Sequence, residues 1–204
     1  MRIISGTLKG RKLAGPGAAA LRPTSDRVKE SMFNIIGGEI EGKVVLDLFA
    51  GTGNLGIEAL SRGAKSAVFV EKSRQALRLL EKNLSTCQVG NRSEVLFKEA
   101  IQAIGHLKGR GACFDLIFVD PPYEKGLIER TIEKLLAEKI YSDNSLLVIE
   151  HDRREPLSRH DKLWSLILQR RIGDTVISFL RPLKPESSKQ DPFSLILLDA
   201  YAEL

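Results

Sequence analysis

From residue 43 onward the chain switches repeatedly between short continuous apolar runs and longer stretches of helical period. The runs at 44–49, 66–71, 93–98, 114–120 and 145–151 read as strands, and the stretches at 54–62, 74–86, 101–108 and 127–139 read as helices. Strands that alternate with helices predict βαβ units and a parallel sheet, hence an α/β fold. Runs such as LIFV and LLVI lack the polar alternation of a half-exposed strand, as expected when helices cover both faces of the sheet. Two further extended stretches, 163–171 and 175–181, are separated only by Ile172-Gly173-Asp174. That gap is too short for a crossover helix and predicts an antiparallel hairpin at the sheet edge.

Ahead of this series the pattern differs. Residues 2–15 alternate loosely, with turn candidates at Gly6-Thr7 and Lys9-Gly10, and predict a short basic hairpin. Small residues at 16–20 form a linker. In RPTSDRVKESMFNIIGG, Thr24 or Ser25 can cap a helix whose apolar face is Val28, Met32, Phe33, Ile35 and Ile36, and Gly37-Gly38 ends it. Arg22 and Arg27 flank its start. Cations there oppose the helix dipole, so an anion bound at that point would offset the arrangement, although simple solvent exposure accounts for them equally well.

Composition narrows the class. The 204 residues suit one domain able to bury a proper core, with 43% hydrophobic and 28% charged residues. No apolar run approaches membrane-spanning length, and the first residues lack the apolar core of a signal peptide, so the expectation is a cytoplasmic protein with no membrane partner. Cys87 and Cys113 have no metal-ligand spacing and read as buried small hydrophobes. His106, His151 and His160 share no ligand spacing and read as surface residues, so no metal is expected. Charge matters by location. Residues 1–30 carry seven cations (Arg2, Lys9, Arg11, Lys12, Arg22, Arg27, Lys29) against Asp26 and Glu30, while the whole chain nets +5. The surplus therefore sits at the front, where it suits a phosphate backbone; a solvated face without a partner is the alternative. Arg153, Arg154, Arg170 and Arg171 either extend that surface or solvate the sheet edge.

In a parallel sheet, ligands bind outside the carboxyl ends of the strands. Here those ends are acidic: Asp47, Glu71, Glu99 and Asp120. The first strand also runs into Gly51-Thr52-Gly53, with Gly56 completing a G-x-G-x-x-G spacing that lets backbone N–H groups approach a ligand. Glu71, 20 positions after Gly51, suits the two hydroxyls of an adenosine ribose. Nicotinamide dinucleotides and S-adenosylmethionine both fit such a site. An acid directly beneath the turn disfavours a pyrophosphate and favours a ligand that carries ammonium and sulfonium charge, so Asp47 tilts the choice to S-adenosylmethionine, unless it merely caps its own loop.

Asp120-Pro121-Pro122-Tyr123 follows the strand FDLIFV. Two prolines hold their carbonyls rigidly, while the acid and the ring project past the sheet. Asp120 and the Pro121 carbonyl can accept the hydrogens of an exocyclic amine and Tyr123 can stack on its base, which is what methylation of an amino group on a nucleobase requires. No hydride-handling His or Lys constellation supports an NAD-linked oxidoreductase, and neither cysteine suits covalent pyrimidine chemistry. Trp164 reads as packing.

Asp47, GTGNLG and DPPY resemble the class I S-adenosylmethionine-dependent methyltransferases, in particular the amino-methylating branch with an [ND]-P-P-[YFW] loop. RPTSDRVKESMFNII, VLDLFAGTGNLGIEALSRGA, FDLIFVDPPY and RIGDTVISFLRP, in that order over residues 2–182, are similar to the bacterial RsmD family, which methylates N2 of a guanine in small-subunit (16S) ribosomal RNA. The resemblance implies a Rossmann-like, mostly parallel seven-stranded sheet with an antiparallel last strand. It divides the chain into a basic hairpin and helix at 1–40 that borders RNA and cofactor, a methyltransferase domain at 41–182, and an extension at 183–204 of unknown role. It implies S-adenosylmethionine held by Asp47, Gly51, Thr52, Gly53, Asn54, Gly56, Glu71, Lys72, Glu99 and Ala100, with Asp120, Pro121, Pro122 and Tyr123 at the target amine. Arg2, Lys9, Arg11, Lys12, Arg22 and Arg27 would contact 16S rRNA, within a 30S subunit or an assembly intermediate, and a monomer is expected. Two departures stand out. Glu99 replaces the Asp that many relatives place against adenine, and the tail runs past the usual end of the domain. Adenine N6 in DNA or RNA is the alternative target, because DPPY alone does not choose between the bases.

Overall fold

The computed structural model describes residues 1–15, 26–122, 126–155, 157 and 164–183. The linker at 16–20, Arg22, the caps Thr24 and Ser25, Tyr123, His160 and the tail from 184 lie outside them. The elements are α1 (Asp26–Ile36), β1 (Val44–Asp47), α2 (Asn54–Ser61), β2 (Ser66–Glu71), α3 (Arg74–Cys87), β3 (Ser93–Phe97), α4 (Ala100–Gly109), β4 (Phe114–Val119), α5 (Leu127–Glu138), β5 (Tyr141–Asp152), β6 (Trp164–Ile172) and β7 (Thr175–Pro182). They form one seven-stranded sheet in the order β3-β2-β1-β4-β5-β7-β6.

β1 to β5 pair in parallel, and the predicted hairpin folds back so that its second strand, β7, inserts antiparallel between β5 and β6. One face packs on α1, α2 and α3 through residues such as Val45, Phe69, Phe118, Val148 and Phe179. The other packs on α4 and α5 through Leu46, Ile117, Leu147 and Ile149. Covering both faces explains the continuous apolar runs. β5 is longer than its apolar run because Tyr141 already pairs with Phe114, with a bulge before Leu116. Trp164 is buried against Tyr141, with ring centroids 4.6 Å apart.

The front segment departs from expectation. Its hairpin reduces to one bridge, Arg2 with Lys12, flanked by Ile3 N to Arg11 O at 2.9 Å. Its backbone is held instead by α2: Ile4 and Ser5 donate to the Glu58 carboxylate at 2.8 and 3.0 Å, and Leu8 donates to Ser61 Oγ. Lys29, one of the front cations, is fully buried, because it shares the face of α1 that carries Met32, Phe33 and Ile36. Its ammonium lies 3.2 Å from Glu58 and donates to Arg2 O at 2.6 Å and to Asn54 Oδ1 at 2.8 Å. Burial pushes the Lys29 pKa down, and the Glu58 charge pulls it back up. Two smaller expectations fail as well. Cys113 is exposed, just ahead of β4. His151 is buried in β5, its Nε2 2.8 Å from Ser178 Oγ on β7.

Gly56 shows why α2 lies so close to the sheet. A Cβ there would stand 2.3 Å from the Phe69 ring. Gly56→Ala is expected to lose about 1–3 kcal/mol in urea denaturation, whereas Gly90→Ala, where nothing lies within 4 Å, stays within about 0.5 kcal/mol. Lys29→Met, which leaves the buried Glu58 charge only Arg62 and two backbone donors, is expected to lose about 3 kcal/mol in the same measurement.

Candidate active site

Side chains alternate along a strand, so position relative to the core fixes where each strand-end acid points. Val45, Phe69, Phe118 and Val148 all lie in the core on the α1–α3 face. Two residues further along come Asp47, Glu71, Asp120 and Glu150, which therefore share that face at the carboxyl ends of four neighbouring strands.

The turn above β1 is pinned by backbone bonds that continue the sheet: Leu48 N to Phe118 O at 3.1 Å and Ala50 N to Val70 O at 2.9 Å. Gly53 then closes a tight turn onto Ala50 O at 2.7 Å and begins α2 with φ of 82°, a conformation that a residue bearing Cβ resists. The three glycines do different work. At Gly51 (φ 54°) an added Cβ would find nothing nearer than Phe49 O at 4.0 Å, so this position faces open space. At Gly53 a Cβ would meet Leu80 of α3 at 2.5 Å, and at Gly56 the Phe69 ring. A Cβ is therefore tolerated sterically only at Gly51, while the other two glycines allow α2 to pack.

Asp47 is buried beneath this turn. Its Oδ2 accepts from Gly56 N at 3.0 Å, while Oδ1 has no hydrogen-bond partner among the described residues. Burial, reinforced by the charges of Asp120 and Glu71, pushes its pKa up to about 7, against the lowering effect of the Gly56 N–H. Glu71 accepts from Gly51 N at 2.8 Å and Ser73 N at 2.6 Å, tying the end of β2 to the turn. Asn54 is buried and uses Oδ1 to accept from Lys29, which fixes its amide orientation and leaves Nδ2 without a partner among the described residues. An acceptor on Asp47 and a donor on Asn54 thus stand unsatisfied at one glycine turn. Thr52 hands its carbonyl to Asn83 Nδ2 at 2.9 Å. Glu99 caps α4 by accepting from Ile101 N at 2.9 Å, Ala100 is buried, and Lys72 is exposed. Asp120 is half-buried at the end of β4, followed by buried Pro121 and exposed Pro122.

Over residues 1–181 the chain matches the model of the family described as Conserved hypothetical protein 95. It is 39% identical over 173 residues to the ribosomal RNA small subunit methyltransferase D of Escherichia coli K12, covering 85% of each chain. With the protein of the same name from Haemophilus influenzae it shares 36% over 174 residues, or 85% of this chain and 89% of that one. The chain belongs to this RsmD family. A solved Escherichia coli structure named as the methyltransferase yhhF superposes with a TM-score of 0.80 at 32% identity, covering 91% of this chain and 99% of that one. A structure from Thermus thermophilus gives a TM-score of 0.74 at 28% identity, over 88% and 98%. The family's Rossmann-like fold is thus the one seen here, with β7 as the antiparallel strand.

Four residues of the region have no role assigned from sequence, although the first two lie within the family-like segments: Lys29, Glu58, Asn83 and Glu150. Asn83 clamps the turn to the front segment through Ala14 as well as Thr52. Their one sequence signal is register. Lys29 falls in line with Met32, Phe33 and Ile36, and Asn83 with Leu80, Leu84 and Cys87, so each is a polar residue in an apolar row.

The Asp47 shift has a sign that can be measured. Its carboxyl is protonated in the folded protein up to pH near 7 but ionises near 3.8 when unfolded. The stability it contributes is fully present below the unfolded value and is lost as pH rises through about 7. In the ligand-free protein, the difference in unfolding free energy between wild type and Asp47→Asn should therefore shift by on the order of a few kcal/mol between about pH 4 and pH 7.5, against the wild type at the higher pH.

Proposed function

We propose that this chain transfers a methyl group from S-adenosylmethionine to N2 of a guanine in 16S ribosomal RNA. The observation that carries the reading is that Glu71, Asp47 and Asp120 share one face of the sheet at the carboxyl ends of the neighbouring strands β2, β1 and β4. The loop suited to an exocyclic amine, the acid suited to ribose and the acid beneath the glycine turn therefore border one space. The curated relatives named for small-subunit rRNA methylation support the substrate.

The residues fit this cofactor. The unsatisfied Asp47 oxygen suits its ammonium, and the unsatisfied Asn54 amide suits its carboxylate. A carboxylate has about four acceptor sites, so Glu71 can receive the ribose hydroxyls while it still holds Gly51 and Ser73. Glu99 and Ala100 border the adenine, with Lys72 at the rim. When bound, S-adenosylmethionine supplies an electrophilic methyl on a sulfonium centre. Asp120 and the Pro121 carbonyl accept the hydrogens of the target amine, draw its lone pair out of conjugation with the ring and orient it, while Pro122 keeps the loop rigid. Tyr123 is the stacking plate of the motif. A cationic ligand also offsets the burial and the neighbouring carboxylate charges that push the Asp47 pKa up.

Arg2, Lys9, Arg11, Lys12 and Arg27 are exposed and, with Arg22, form the RNA contact of the front unit at 1–40; the catalytic unit is 41–182 and the extension 183–204 lies beyond it. The favoured substrate is rRNA in a 30S subunit or its assembly intermediate, met in the cytoplasm by a monomer. Incubation with labelled S-adenosylmethionine and either naked 16S rRNA or 30S particles is expected to yield N2-methylguanosine, and recovery of N6-methyladenosine would replace the proposed target. Asp120→Ala is expected to lower turnover on the order of a hundredfold or more while S-adenosylhomocysteine still binds with wild-type affinity by calorimetry.

A further inference from the structure

Along the outer face of α3, Arg74, Arg78 and Lys82 recur at every fourth position, and all are exposed. They lie opposite the face that buries Leu80, Asn83, Leu84 and Cys87. That spacing stacks them in one row, about 6 Å apart along the helix axis. Like charges four residues apart repel, so the row works against the helix that carries it. Among the described residues none of the three takes part in an ion pair.

The row continues at both ends. The next position along it is Thr86, whose carbonyl accepts from the guanidinium of Arg11, so the front segment adds a fourth cation. At the other end the Arg74 guanidinium lies 5.8 Å from the centroid of the Phe97 ring. Phe97 is 47% exposed, at the carboxyl end of the edge strand β3, where it pairs in register with Glu71. Exposed Lys72 and Lys98 flank it. A row of cations therefore ends on an aromatic plate beside the candidate ribose ligand.

We propose that this row is a second RNA track. The sugar–phosphate backbone of the substrate follows Arg11, Lys82, Arg78 and Arg74, and an unpaired base stacks on Phe97. The inference rests on the RNA-methyltransferase reading and extends its contact surface from the front segment across α3. Guanidinium groups pair with phosphate in a two-pronged geometry, and an aromatic ring accepts any base, which is the division of labour in single-strand binding. An acidic protein would match the cations but would leave the ring without a stacking partner.

The test compares wild type, the triple variant Arg74→Gln/Arg78→Gln/Lys82→Gln, Phe97→Ala, and a triple Lys65→Gln/Lys108→Gln/Arg130→Gln that removes equal charge away from the row. Binding to protein-free 16S rRNA is measured across a range of salt, with S-adenosylhomocysteine affinity as the check that each variant is folded. Loss of three phosphate contacts should flatten the slope of log K against log salt by about 2 and weaken binding by on the order of tenfold. Phe97→Ala should weaken binding by about tenfold at unchanged slope. The proposal is overturned if the row variant matches the off-row triple in affinity and slope. It is overturned equally if the row variant binds free RNA as wild type does but loses methylation of assembled particles, since the occupant would then be a protein. A wild-type protein that methylates no RNA sinks the parent reading, whereas normal wild-type turnover with an insensitive row sinks only the track.

Discussion

A lysine and a glutamate buried together hold this molecule's ligand end in order. Lys29 and Glu58 are both fully shielded from solvent, and an ion pair in that setting persists only when its remaining donors and acceptors are also satisfied. Here they are. Glu58 receives Ile4 N, Ser5 N, Lys29 and Arg62, and Lys29 reaches Arg2 O and Asn54 Oδ1. Arg62 in turn lies over the Phe33 ring at 4.8 Å, and Phe33 packs on Phe118 of β4. One polar knot thus joins the first residues, α1, the first residue of α2 and the core beneath the candidate catalytic loop.

That knot explains why the front segment needs no regular hairpin. Side chains of α2 take up backbone donors that a second strand would otherwise satisfy, and Asn83 of α3 does the same for Ala14. The segment becomes a strap over α2 and α3, which brings Met1 to Thr52 of the glycine turn and Arg11 to the end of the α3 row. Cofactor turn and cationic surface are consequently parts of one packed unit.

The second constraint is electrostatic. Parallel strands that end at one edge bring their terminal acids together, and the resulting repulsion and desolvation are expressed at Asp47, the most deeply buried of them. The backbone supplies only partial relief, from the N–H groups of Gly56 and, more weakly, Phe49 to Asp47 and from those of Gly51 and Ser73 to Glu71. A positively charged ligand would complete the balance, which is the physical link between the acidic strand ends and the proposed binding of a sulfonium methyl donor there.

The order of strands and helices, their parallel pairing and the terminal hairpin were legible in the chain, because they follow from hydrophobic period and connection length, both local properties. The placing of Asp47, Gly51, Glu71 and Asp120 at the carboxyl edge of the sheet was legible too, since parallel strands bring their ends to one edge whatever the rest of the molecule does. Local pattern could not show that Lys29 is a core residue rather than a front cation. That depended on Glu58, 29 positions away, standing opposite it with two backbone donors already attached. Likewise nothing local showed that Leu80 and Phe69 fill the space beside Gly53 and Gly56, and His151 read as a surface residue until β7 inserted beside β5. What the sequence determined by itself was which elements form and where their ends meet, because backbone period and chain connectivity are short-range. What only the tertiary structure decided was which charged and small groups face each other, because desolvation and close contact are properties of a pair that the chain brings together across long separations.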